Sequence, residues 1–275
     1  MPTDQPMASG PTRCGVVALI GAPNAGKSTL VNALVGQKVA IVSPKVQTTR
    51  VRLTGVALEG AAQLLLVDTP GVFCPKSRLD RAMVQNAWDG AADADVLLAL
   101  VDAKAGLRDE ARGLLEAIAQ RPEPRWLVLN KVDAADKGRL LELAAAAHAI
   151  APFAETFMVS ALTGDGVADL KAALARAVPQ GPWLFPEDQL SDAPARMMAA
   201  ELVREQLFLQ LGQELPYSAA VVAEKFEERA DGSSAVHAQI LVERDSQKAI
   251  VVGARGARIK AIGEAARAQM TELLG

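Results

Sequence analysis

The chain has 275 residues, half of them hydrophobic and 22% charged, with a net charge of −3. That length suits one large or two ordinary domains with buried cores, and the near balance of charge excludes a protein working through one global basic or acidic field. Its two cysteines, Cys14 and Cys74, lie far apart and outside any CxxC pattern. They point away from a disulfide framework or thiolate metal centre and towards a reduced, cytoplasmic setting.

Residues 1–12 are polar, rich in Pro and Gly, and lack an apolar core segment. They read as a disordered tail rather than a signal peptide. Val16–Ile20 is a β-type run ending at Gly21, and a helix is expected from Lys27 to about Val35, closed by Gly36. Val51–Leu58 and Leu64–Val67 read as strands with a turn at Gly60, and Ser77–Ala92 has helical spacing. Val96–Val101 is a buried strand, too short to span a bilayer. Then come a helix (Asp109–Gln120), a strand (Trp126–Leu129), a helix (Lys137–Ile150), a strand (Thr156–Val159) and a helix (Val167–Val178). This alternation predicts a mixed, mostly parallel sheet covered on both faces, with a ligand at the carboxyl ends of the strands.

Pro179-Gln180-Gly181-Pro182 breaks the rhythm. Residues 13–180 therefore form a first domain and 181–193 a linker, packed through Trp183, Leu184 and Phe185. Residues 194–275 follow a different order: helix (Ala195–Leu211), strand (Tyr217–Glu227), strand (Ala235–Arg244), then helical material. This is a smaller α+β domain.

Four motifs in the first domain carry chemistry. Gly21-Ala22-Pro23-Asn24-Ala25-Gly26-Lys27-Ser28, followed by Thr29, fits the P-loop pattern. Its glycines let backbone N–H groups face phosphate oxygens, and the helix start adds its positive dipole end. Lys27 reaches the β- and γ-phosphates and the Ser28 hydroxyl ligates Mg²⁺. Asp68-Thr69-Pro70-Gly71 ends a strand, with Asp68 placed for the Mg²⁺ water shell and the Gly71 N–H for the γ-phosphate. Asn130-Lys131-Val132-Asp133 selects the base. The Asp133 carboxylate accepts two hydrogen bonds from guanine, which adenine cannot give, so adenine would leave a carboxylate unpaired. The Lys131 stem covers the base plane, Asn130 ties the loop to the P-loop, and Val159-Ser160-Ala161 brings the Ala161 N–H to guanine O6. Between the first two motifs, Gln47-Thr48-Thr49-Arg50 supplies a threonine that ligates Mg²⁺ and senses the γ-phosphate. Thr49 is the choice and Thr48 the alternative.

These residues, with Ser43-Pro44-Lys45-Val46-Gln47-Thr48-Thr49-Arg50 and Glu243-Arg244-Asp245-Ser246-Gln247-Lys248, resemble the translation-factor-related GTPases and, within them, the Era family. The resemblance implies GTP hydrolysis to GDP and phosphate, and a C-terminal type II KH domain that binds small-subunit ribosomal RNA near its 3′ end during subunit assembly. It also implies peripheral contact with the inner membrane; a monomer is expected. Gly253-Ala254-Arg255-Gly256 supplies the KH signature loop, which clamps a single-stranded backbone. The domain as a whole is slightly acidic, but Lys248, Arg255, Arg258, Lys260 and Arg267 face only Glu264 within Ser246–Arg267. That concentration suits one strand in a groove. Lys248, the Gly253–Gly256 loop, Arg258 and Lys260 are the expected RNA contacts. A type II KH domain ends on a further strand, and the chain stops at Gly275 without one.

Val72 stands where Ras-like GTPases carry a water-orienting Gln, and neither His148 nor His237 lies in a motif. Hydrolysis is then expected to be slow, resting on Lys27, Asn24, Thr49 and Gly71, with Asn24 holding a K⁺ ion as in some relatives with Asn there. Two rival readings are an ATP-dependent kinase on the same P-loop fold and a GTP switch whose last domain binds protein.

Overall fold

The computed structural model describes residues 11–43, 53–69, 71, 88, 89, 92, 94–191, 193–212, 215–229 and 233–274. Thr48, Thr49, Pro70, Val72, Cys74 and almost all of the helix expected over Ser77–Ala92 lie outside them.

The chain divides into two compact units, one holding Met1–Ala40 and Thr49–Asp192, the other Ile41–Thr48 and Ala193–Gly275. The first is built on β1 (Arg13–Gly21), α1 (Lys27–Val35), β2 (Leu53–Glu59), β3 (Ala62–Asp68), β4 (Val96–Asp102), α2 (Asp109–Ala119), β5 (Arg125–Asn130), α3 (Leu140–His148), β6 (Glu155–Val159) and α4 (Val167–Ala177). Its six strands run in the order β2-β3-β1-β4-β5-β6. Only β2 is antiparallel to its neighbour. β3 is buried at every position and β4 at all but its last, as expected of strands covered on both faces. Ile20, Leu97, Leu115, Ile118 and Leu127 pack together in one core cluster of this sheet and α2.

Register puts the polar ends of the strands on one edge. Leu19 pairs with Asp68, Gly21 with Leu100 and Asp102 with Asn130. Each apolar run therefore stops at the same level, and the loops that follow share one rim. α1 ends at Gly36, whose N–H bonds to Asn32 O in a left-handed cap. α3 is shorter than its periodicity predicts, because Lys137–Arg139 form a 3-10 turn capped by Asp136. His148 bonds to Thr156 at 2.8 Å and meets Phe153 edge-on, a structural role as expected.

The segment read as a linker is tied to the sheet. Gln63, on β3 and fully buried, accepts the N–H of Leu184 (2.8 Å) and Phe185 (3.0 Å) through its amide oxygen and donates to Phe185 O (2.8 Å). Trp183 Nε1 donates to Ala61 O, Val56 N–H to Leu190 O, and Ser191 bridges to Gly55. Thr12, placed in the tail by composition, is instead held by its hydroxyl to Gly181 O at 2.9 Å. Residues 181–191 thus run along β2 and β3.

The second unit contains α5 (Ala195–Gln210), the antiparallel pair β7 (Ala219–Glu228) and β8 (Ser234–Val242), α6 (Asp245–Val252) and α7 (Ala257–Leu274). Val203, Leu207, Val251, Ile262 and Ala266 form its core. Leu215–Ser218, read partly as strand, is a 3-10 turn, so β7 starts at Ala219. An apolar groove of about 870 Å³ lies between β8, α6 and α7, lined by Ile240, Val242, Ile259, Ile262 and Met270 among others. Among the described residues no helix is long and apolar enough to cross a membrane.

The Gln63 contacts generate a prediction. Gln63→Leu leaves two backbone N–H groups without their acceptor, at a cost of about 2–3 kcal/mol in urea unfolding of the whole chain. A loss below about 0.5 kcal/mol would mean that water replaces the amide.

Candidate guanine-nucleotide and RNA sites

β1 ends at Gly21 and α1 starts at Lys27, so five residues turn the chain at the rim. Asn24 sits at φ 62° and Gly26 at φ 94°. Gly26 also packs against the next loop: a Cβ there would stand 2.3 Å from Asn130 Nδ2. Lys27 is buried, its ammonium donating to Gly21 O and Ala22 O, both at 3.1 Å. Burial pulls its pKa down from 10.5 to about 8, against the opposing attraction of Asp68. The next residue, Ser28, donates its hydroxyl to Asp68 Oδ2 at 2.7 Å, and Thr29 follows in the same helical turn.

β3 delivers Asp68 and Thr69 to the same place, both fully buried. The Thr69 hydroxyl donates to Leu19 O at 2.6 Å, which pins the start of the loop to β1. Gly71 lies against Pro23, where a Cβ would fall 2.9 Å from the Pro23 nitrogen.

β5 delivers Asn130. Its Nδ2 donates to Ala25 O at 2.9 Å and its Oδ1 accepts the Ala161 N–H at 3.0 Å. The expectation that Asn130 ties its loop to the P-loop therefore holds. The Ala161 N–H differs from expectation: it is engaged by Asn130 rather than turned towards a base. β6 ends at Val159, and Ser160 closes the following turn by accepting the Thr163 N–H at its hydroxyl. Lys131 has φ 66°, and its ammonium donates to Asn24 O at 2.5 Å and Asp102 Oδ2 at 2.7 Å. Val132 and Asp133 begin a 3-10 turn in which Asp133 is exposed. Asp102 lies in none of the four nucleotide motifs.

In the second unit, α6 and α7 flank Gly253–Gly256. Gly253 has φ 72°, and a Cβ there would stand 2.7 Å from Arg258 Cβ. Arg255 is left-handed at φ 51°, and Ala254 begins the 3-10 turn that holds it. Arg258 donates to Ile250 O, fixing its stem across the loop. Lys248 sits on α6, and Lys260 is an exposed side chain on α7 paired loosely with Glu264 at 3.7 Å.

Ser28 and Asp68 are hard oxygen donors brought within 2.7 Å at a helix start, a donor set that suits Mg²⁺. The rim thus gathers Lys27, Ser28 and Asp68 at the start of α1, with Asn130 and Lys131 joined to the same loop through Ala25 and Asn24.

Lys27 gives a pH-dependent prediction. The unfolded chain holds the Lys27 proton up to about pH 10.5 and the folded chain only to about 8, so the penalty is full below pH 8 and fades towards 10.5. In protein stripped of nucleotide, Lys27→Met should raise stability by about 3 kcal/mol at pH 7, with the gain nearly gone by about pH 10. Thermal unfolding across that range measures it, and a gain independent of pH would remove this explanation.

Two family models match the chain: one described as a 50S ribosome-binding GTPase, over residues 16–131, and a KH domain, over residues 214–275. The GTPase Era of Afipia carboxidovorans is 55% identical over 276 residues, spanning 100% of this chain and 90% of the relative. That of Brucella melitensis is 56% identical over 263 residues, spanning 96% and 85%. Among solved structures, an Aquifex aeolicus Era variant bound to GDP and aluminium fluoride matches with a TM-score of 0.90 and 36% identity over 96% of this chain and 90% of that one. Era in complex with MgGDPNP and nucleotides 1506–1542 of 16S ribosomal RNA matches with the same figures. With relatives above half identity along its whole length, and with a P-loop unit followed by a KH domain, the chain belongs to the Era family of GTPases.

Proposed function

We propose that the rim of the first unit binds GTP through Gly21–Thr29, Asp68–Val72, Asn130–Asp133 and Val159–Ala161. Its occupancy controls RNA binding by the second unit. The observation that carries the reading is the Asn130 side chain, which joins the phosphate-cradling loop to the two loops assigned to the base. Only a ligand with both parts needs those loops in fixed register.

The roles follow from the contacts. Lys27 carries charge to the β- and γ-phosphates, where an anion would restore its ordinary pKa. Ser28 and Asp68 hold Mg²⁺, with Thr49 or Thr48 completing the set; MgGDPNP in the 36% identical Era structure supports the ion. When bound, Mg²⁺ neutralises charge developing on the phosphate oxygens. Gly71, packed on Pro23, holds its N–H for the γ-phosphate. Asp133 selects guanine. Val72 offers no hydrogen bond to water, so hydrolysis rests on positioning and is slow. Asn24, whose carbonyl accepts the Lys131 ammonium, is the P-loop residue that would assist a K⁺ ion.

The RNA half rests on the Gly253–Gly256 loop with Lys248, Arg255, Arg258 and Lys260. Backbone N–H groups at the start of α7 and the flanking cations suit the phosphates of a single strand. The 16S fragment bound by the related Era supports small-subunit ribosomal RNA near its 3′ end as partner, in small-subunit assembly. The family model's description names the 50S subunit instead. It covers only the nucleotide-binding half, whereas the Era structure spans 96% of the chain, so the latter weighs more. A cytoplasmic monomer with peripheral membrane contact completes the reading on resemblance alone.

Three measurements test it. Asp133→Asn should lose guanine nucleotides and gain xanthine nucleotides; unchanged GTP binding would sink the assigned base site. Arg255→Ala with Lys260→Ala should weaken binding of a 16S 3′-end oligonucleotide by roughly tenfold and lower its salt slope by about 1.4, leaving GTP affinity intact. Retained RNA affinity would move the site off this loop. Hydrolysis should also run several-fold faster in K⁺ than in Na⁺, and equal rates would dismiss the Asn24 role.

A further inference from the structure

Asp102 is the last residue of β4, and its carboxylate works in two directions. Oδ1 accepts the N–H groups of Lys104 (3.0 Å) and Ala105 (3.1 Å), closing the turn that leaves the strand. Oδ2 meets the Lys131 ammonium at 2.7 Å, and that ammonium also donates to Asn24 O. Strand register makes the meeting unavoidable. Asp102 pairs with Asn130, and the Ala103 N–H donates to Asn130 O at 2.8 Å. The residue after Asn130 then leaves its strand directly beside the carboxylate. Lys131 itself has a left-handed backbone, which few side chains adopt without support.

We propose that Asp102 is a positioning residue for guanine-nucleotide binding: it fixes the Lys131 side chain across the P-loop so that its methylene stem forms the ledge under the base. The inference rests on the reading of Lys131 as the base-covering residue. A lysine has four rotatable side-chain bonds, and ordering them only when the ligand arrives would subtract from affinity. Here two acceptors order the chain beforehand. One is a P-loop carbonyl, so the ledge is also placed relative to the phosphate cradle. The pair is partly exposed, at 35% for Lys131 and 22% for Asp102, so it adds little to folding stability and its effect lies in preorganisation. Lys131→Met keeps a stem of similar length and removes the charge, and Asp102→Asn keeps Oδ1 for the turn while setting an amide NH₂ against the ammonium.

The test uses the full chain with Mg²⁺ and a fluorescent GDP analogue, read by stopped-flow dissociation and by thermal unfolding without nucleotide. Asp102→Asn should speed release by about 5- to 10-fold with an unchanged unfolding midpoint. In the Lys131→Met background the same change should add nothing, because the partner is gone. Unchanged release in Asp102→Asn, or equal acceleration with and without the Lys131 ammonium, would overturn the proposal. A lowered midpoint accompanying faster release would also overturn it, by assigning the effect to the turn. Asp133→Asn in the same assay reports on the base site alone, so failure of that reading is distinguishable from failure of the Asp102 role.

Discussion

A single buried side-chain amide holds three loops, one of them 105 residues away in the chain and another 31. Asn130 is 1% exposed and spends its donor on Ala25 O and its acceptor on the Ala161 N–H. An amide offers both from one planar group without carrying charge. A carboxylate would repel the Ala25 carbonyl, and an ammonium would have nothing to accept the Ala161 N–H. The close approach of Gly26 to Nδ2 follows from the same bond, since any side chain at Gly26 would occupy the amide's place. Buried, and bonded through both its nitrogen and its oxygen, the amide joins three loops into one rim.

On that rim the costly element is charge. Lys27 sits in the interior with two carbonyls and Asp68 as company, and burial has already drawn its pKa down. Such a group is expensive to fold and useful to bind with, because a phosphate restores what burial removes. Ser28 donates its hydroxyl to Asp68 beside it, a charge-assisted bond between two oxygens of a kind that also suits a hard cation. The sheet supplies the rigidity that keeps these polar groups together. The parallel register of β1, β3, β4 and β5 ends every apolar run at one level.

Much of this was legible because each motif follows a buried strand, and the strand ends could be read from where apolar runs stop. What could not be read has a common cause: side chains acting across the register rather than along the sequence. Gln63 looks like a polar interruption at the start of an apolar strand, yet its amide fastens residues 184–185. The proline-rich stretch announced a break in rhythm and gave no sign of the backbone bonds from Val56 to Leu190. Asp102 had a signal, since it ends a buried strand as Asp68 does, but no motif marks it. Its partner becomes visible only when β4 and β5 are paired. The Ala161 N–H was assigned by its place in an order of motifs, and a tertiary partner, Asn130, engages it.

The KH loop shows the same division between motif and geometry. A Gly-x-x-Gly match says that two positions tolerate unusual backbone, but here the two glycines answer different constraints. Gly253 is required by packing, since its missing Cβ would collide with Arg258. Gly256 meets nothing and is required by its φ of 78° alone. Between them Arg255 is held left-handed, a conformation that costs a non-glycine residue about 1 kcal/mol and persists only where surroundings impose it. The Arg255 side chain is thus placed by its own left-handed backbone, while Arg258 beside it is tied to Ile250 O. A loop so constrained holds the Arg255 backbone in one fixed arrangement, with the Gly253 and Gly256 N–H groups spent on Ala249 O and Gly253 O. Under the proposed RNA reading, that fixed arginine would meet a phosphate of a nucleic-acid backbone.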